Sequence, residues 1–136
     1  KQSGLTRFIA LCMLSGYVWL GVSGALAIAF GQVFAGTMYD AVLHSLFLGF
    51  VFSMIFGHAP IILPSVLNVP LNFQPAFYVH LILLHASLVL RIAGDLIPIF
   101  ELRQWGGMLN VIALLLFLFN TGRAVRKSLA KKGSIV

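Results

Sequence analysis

Residues 41–90 read AVLHSLFLGF VFSMIFGHAP IILPSVLNVP LNFQPAFYVH LILLHASLVL, and none of them is Asp, Glu, Lys or Arg. Two further charge-free runs flank this stretch, from Phe8 to Tyr39 and from Gln104 to Gly122. A bilayer crossing takes about 20 mostly apolar residues. The runs therefore predict an all-α, integral membrane four-helix transmembrane bundle, a single domain with spans near residues 8–30, 39–63, 76–97 and 106–121. Composition agrees: 60% of the 136 residues are hydrophobic, 9% are charged, and the mean hydropathy is +1.03. A water-soluble domain carries about 25% charged residues, so a soluble fold is excluded and four spans leave no room for a separate catalytic domain.

Charge sets the expected orientation. Basic residues outnumber acidic ones nine to three, for a formal charge of +6. Arg123, Arg126, Lys127, Lys131 and Lys132 follow the last apolar run, and Lys1 and Arg7 precede the first. In an apolar chain this is a topology signal facing anionic lipid headgroups rather than a nucleic-acid surface. It predicts N- and C-termini in the cytoplasm, most simply at a bacterial inner membrane. The chain opens on Lys rather than Met, as expected of a piece of something longer. Its first apolar run is too long, and lacks the small-residue cleavage site, for a signal peptide.

Smaller signals punctuate the spans. Gly16, Ser23, Gly24, Ala27 and Gly31 give span one a small-residue surface for close helix approach. Cys12 lies inside an apolar run and reads as a packed thiol. Pro60 and Pro64 are expected to disturb the end of span two. Asn68, Pro70, Asn72, Gln74 and Pro75 then form a polar connection, and Glu101, Arg103, Gly106 and Gly107 a short link before span four. Asn110 and Asn120 are expected to join helices by hydrogen bonds.

All four histidines, His44, His58, His80 and His85, fall in spans two and three. On an ideal helix His44 and His58 differ by a rise of about 21 Å and a rotation of about 40°, which predicts one face carrying both. Asp40, Val51, Met54 and Ile55 join that stripe. On span three His80, Ser87, Arg91 and Asp95 share a face, with His85 turned about 140° from His80. Ionisable groups inside a bilayer persist by facing the bundle, pairing, or holding a ligand. Imidazole is a common axial ligand of haem iron and also suits copper. His44, His58, His80 and His85 are therefore candidate metal ligands, and Arg91 a candidate partner for haem propionates or for Asp95. Met54, four residues before His58, is a candidate soft ligand for Cu(I).

Two histidines fourteen apart resemble the ligand spacing of cytochrome b proteins, although no second span supplies a matching pair. More specifically, His44-Ser-Leu-Phe-Leu-Gly-Phe, Ser53-Met54-Ile55-Phe56-Gly57-His58, Leu90-Arg91-Ile92-Ala93-Gly94-Asp95-Leu96 and Trp105-Gly106-Gly107 resemble the C-terminal portion of NnrS-type haem and copper membrane proteins. The resemblance covers about Tyr39 to Arg126 of a longer family pattern. It implies haem or copper at His44 and His58 and a link to nitric oxide metabolism.

The leading expectation is a membrane protein binding b-type haem, with or without copper, through His44, His58 and a span-three histidine, for electron transfer or diatomic-gas chemistry. The chain would act as a homo-oligomer or as a subunit of a larger membrane complex. The rival is a small accessory subunit of a respiratory or photosynthetic complex whose histidines ligate pigment or only pack. A transporter relaying protons through Asp40, His44, Arg91 and Asp95 ranks third, since four spans leave little room for alternating access. No nucleophile paired with a base and no phosphate-cradling loop points to an enzyme.

Overall fold

The computed structural model describes residues 2–31, 33–68 and 73–133, with side chains placed from 4 to 130 of these. The described residues hold four helices long and apolar enough to cross a membrane. They are α1 (Gln2–Phe30), α2 (Thr37–Leu67), α3 (Phe77–Leu96) and α4 (Phe100–Gly133), and the described residues contain no strand. Gly36, at φ 94°, sits just before α2, and Asn68, at φ 52°, ends it in the left-handed conformation typical of a helix C-terminus. Pro70 and Asn72 of the expected polar connection, with Lys1, lie outside the described residues, as do the side chains of Lys131 and Lys132.

Two helix ends depart from the sequence reading. Span two does not stop near Leu63, because α2 continues through Pro60 and Pro64 to Leu67. Each proline removes one backbone hydrogen bond, a loss that a helix flanked by others in a membrane tolerates. Span four begins at Phe100, so Glu101, Arg103, Gly106 and Gly107 are helical and not a link. The turn between α3 and α4 is correspondingly tight: Ile99 N–H donates to the Gly94 carbonyl (3.1 Å) and Arg103 N–H to the Ile99 carbonyl (3.2 Å). Glycine permits this closeness. A Cβ at Gly94 would stand 2.7 Å from the Arg103 nitrogen, and one at Gly106 2.7 Å from the Arg91 Cα.

Helices in lipid gain nothing from excluding water, so close packing and polar links hold them together. Phe8 of α1 packs on Phe77 and His80 at the start of α3, and Asn120 of α4 reaches the Ala76 carbonyl beside them (3.2 Å). The beginning of α1 and the end of α4 therefore share one end of the bundle. Ser23 Oγ donates to the Val42 carbonyl (3.1 Å) toward the other end. Phe8, Cys12, Phe56, Phe77, Leu81, Leu84 and Ala113 form the main core.

The decisive local feature is a π-helical segment, Ser45–Val51, within α2. Ala41, Ser45, Gly49 and Ser53 are all buried, at intervals of four. In a regular α-helix three such steps drift by about 120°. The wider π turn, bonded i to i+5, takes in about one extra residue and cancels most of that drift. The small stripe thus stays against its neighbours, and a Cβ at Gly49 would stand 2.5 Å from Trp19 Cβ of α1. Ser45 Oγ donates to the Ala41 carbonyl (2.8 Å) and Ser53 Oγ to the Gly49 carbonyl (2.5 Å), satisfying backbone groups around the distortion.

Candidate functional site

The π segment overturns one expectation directly. His44 immediately precedes buried Ser45, and His58 immediately follows buried Gly57. Each lies about 100° from the stripe, on opposite sides of it, so the two imidazoles do not share a face. Every histidine instead has surroundings of its own, and among the described residues no three His, Cys, Asp or Glu converge as a metal-ligand group.

The hydrogen bonds sort the histidines into two kinds. A carbonyl only accepts, so His44 Nδ1 donates to the Asp40 carbonyl (2.6 Å) and His58 Nδ1 to the Met54 carbonyl (2.7 Å). In the neutral form each ring then carries its proton on Nδ1 and leaves the Nε2 lone pair bare, the tautomer a metal ligand needs. An indole only donates, so His85 Nδ1 accepts from Trp19 Nε1 (3.0 Å), which puts the His85 proton on Nε2. Asn120 Nδ2, fixed by its bond to the Ala76 carbonyl, faces His80 Nδ1 at 3.4 Å and assigns His80 the same tautomer. His80 is buried among Phe8, Phe56, Phe77 and Phe117, with the Phe56 ring 4.8 Å away and edge-on. As placed, the span-two histidines have ligand chemistry available and the span-three histidines have their Nδ1 occupied.

His58 differs from His44 in what it faces. It is exposed, and it lines a groove of about 780 Å³ between the second half of α2 and the second half of α4. Ile55, Ile62, Leu63, Phe117, Leu118 and Val125 supply most of the wall, with Thr121 as a polar exception. That volume is within the range of small-molecule sites, and an apolar wall with one oriented polar group is their usual form. Met54 lines the groove as well, while its methyl group stands close over Gly16 of α1.

The opposite end of the bundle holds the Arg–Asp pairs. Asp95, fully buried, receives Arg103 Nε at 2.8 Å and has Arg91 Nε at 3.5 Å. Arg103 also reaches Asp40 (3.3 Å), and Arg91 Nη1 donates to the Arg103 carbonyl (3.1 Å). His44 Nδ1 stands 3.9 Å from Asp95. Of the two roles the sequence offered Arg91, the structure supplies the pairing with Asp95. The expected face of α3 is real, since His80, Ser87 and Asp95 are all buried, and Ser87 Oγ donates to Asn110 Oδ1 of α4 (2.6 Å). Arg103, expected in a link, is instead the hub that ties α4 to Asp40 of α2. Sequence reading also missed Trp19; an indole placed within the small-residue face of span one was the available signal.

The family model described as "Domain of unknown function (DUF8744)" matches residues 1–125. The chain belongs to the DUF8744 family. No curated protein and no solved structure matches it. The DUF8744 match takes in all four helices as far as Val125, and so both the ion-pair cluster and the groove around His58.

Proposed function

We propose that this protein binds b-type haem within the membrane, with His58 as an axial ligand and the α2/α4 groove as the seat of the macrocycle. One observation carries the reading: His58 Nδ1 is committed to the Met54 carbonyl, so Nε2 is free to coordinate beside an apolar groove. Iron porphyrin brings its own equatorial nitrogens and asks the protein for only one or two imidazoles. It therefore suits a lone oriented histidine, whereas copper takes several protein donors around one point. Electron transfer or diatomic-gas chemistry is the role this cofactor would serve, in keeping with the NnrS-type resemblance of the His44 and His58 segments. A second axial imidazole would come from another copy or another subunit. The basic ends of α1 and α4 support cytoplasmic termini, as in a bacterial inner membrane.

The test is an absorption and pyridine-haemochrome spectrum of the full chain in lipid nanodiscs. His58→Ala is expected to abolish the Soret band and His85→Ala to leave haem content unchanged. Retention of the band in His58→Ala, or its absence from the unsubstituted protein, refutes the reading. The accessory-subunit alternative rests on the same imidazole, because the magnesium of a chlorophyll-type pigment also takes a single histidine. Recovery only with a large assembly, and a pigment spectrum in place of a haem one, would favour it.

A further inference from the structure

The His58 groove does not end at its apolar wall. Leu118 and Gly122 line it and also line a second depression, of about 650 Å³, whose other residues include Arg123, Arg126 and Lys127. Gly122, one of the two shared residues, has open space beside it, since a Cβ placed there would meet nothing within 4 Å. The apolar trough and the basic depression thus adjoin at Leu118 and Gly122. Arg123, Arg126 and Lys127 are exposed, and none has an acidic partner among the described residues. The carboxylates of Asp40 and Asp95 are paired with Arg103, at the far end of the bundle.

We infer that Arg123, Arg126 and Lys127 hold the anionic edge of the amphiphile whose apolar body lies against His58. In this arrangement a bound tetrapyrrole directs its carboxylates across Gly122 toward the basic end of α4. The inference rests on the haem reading and adds the orientation of the ligand. Its physical basis is the cost of leaving a carboxylate in hydrocarbon. With iron on His58, the propionate edge must leave an apolar trough, and the free cations mark where it leaves. Arg126 is about 6 Å along the helix from Gly122, close enough for a long guanidinium side chain to reach back. Arg91, the other candidate for this role, stands at the far end of the bundle, 3.5 Å from Asp95 and with Nη1 donating to the Arg103 carbonyl.

The experiment compares iron protoporphyrin IX with its dimethyl ester, which has the same macrocycle and no carboxylate charge. Both are titrated into the full chain in phosphatidylcholine nanodiscs. The variant Arg123→Gln, Arg126→Gln, Lys127→Gln is expected to weaken the free acid about tenfold or more, as loss of charge-assisted hydrogen bonds does. The ester should change by less than about twofold on the same scale. Gly122→Leu, whose Cβ would meet nothing within 4 Å, should weaken the free acid without unfolding the protein. Equal effects of the triple variant on acid and ester, with both still dependent on His58, overturn the orientation and leave the haem reading intact. Failure of both porphyrins to bind the unsubstituted chain overturns the two together. Loss of copurified phosphatidylglycerol from the triple variant, with both porphyrins bound as before, assigns the cations to phospholipid phosphate and also overturns the inference.

Discussion

Asp95→Asn removes one negative charge from the buried end of the bundle while keeping the volume of the side chain. Asp40, Asp95, Arg91 and Arg103 sum to zero formal charge, and the substitution leaves them at +1. Asp95 is 0% exposed and Arg103 29% exposed, with 2.8 Å between their bonded atoms. Removing one partner of a buried pair costs about 3–5 kcal/mol. Partial solvation of Arg103 moves the value to the low end, about 3 kcal/mol. Arg103→Gln should cost about 2–3 kcal/mol, because Arg91 stays 3.5 Å from the orphaned carboxylate. The double variant should then lose about 3–4 kcal/mol, since the second change relieves the charge stranded by the first. A coupling of about 2 kcal/mol follows, within the range for contacting residues. Equilibrium unfolding in mixed micelles, followed by helicity, measures all four corners of the cycle. Single-variant losses that add to within about 0.5 kcal/mol would refute the account of a mutually dependent ion cluster.

Glycine substitutions at the two ends of α4 should have opposite signs: Gly106→Ala, pressed toward Arg91, should lose about 1–3 kcal/mol, and Gly122→Ala should gain up to about 1 kcal/mol. Unfolding midpoints in micelles check this, and equal shifts would contradict the close crossing of α3 and α4. Deleting Phe47, which is 52% exposed in the π segment, should be tolerated, because the small stripe would then step by four, three and four on a plain α-helix. Deleting Leu14, 63% exposed in α1, should cost several kcal/mol by turning one half of that helix about 100° against its neighbours. Comparable thermal stability of the two deletions in nanodiscs would sink the π-turn argument. Trp19→Phe should destabilise the bundle by about 1 kcal/mol through loss of the bond to His85, read as a lower unfolding midpoint, whereas no change would remove that bond from the account.

The membrane class and the number of helices were legible because charge avoidance over long runs has one common physical cause, the expense of ions in hydrocarbon. Helix ends were less legible. Pro60 and Pro64 read as terminators by the rules of soluble helices, yet α2 passes through both, and Gly106 and Gly107 read as a turn although they serve a close helix crossing. The candidate site was visible as residue types but not as geometry. A fourteen-residue spacing was converted to an angle on the assumption of a uniform helix, and the π turn changes that angle by about 100°. The signal that could have corrected it was in the chain: Ala41, Ser45, Gly49, Ser53 and Gly57 recur at every fourth position, a period a straight α-helix cannot keep on one side. Which nitrogen of each imidazole carries the proton could not be read from residue order, since it depends on partners as remote as Trp19 for His85.

The trough beside His58 opens sideways, with Ile55, Ile62 and Leu118 at its lip 42%, 52% and 63% exposed. In a bilayer such an opening meets acyl chains, not water, so loading of the proposed guest would be an exchange: the guest would arrive dissolved in the leaflet and displace a lipid tail. The measured affinity would then depend on how well each bilayer dissolves the guest and how readily its own chains give way. Titrations in short, disordered lipids and in long, saturated ones are in effect measurements against two different competitors.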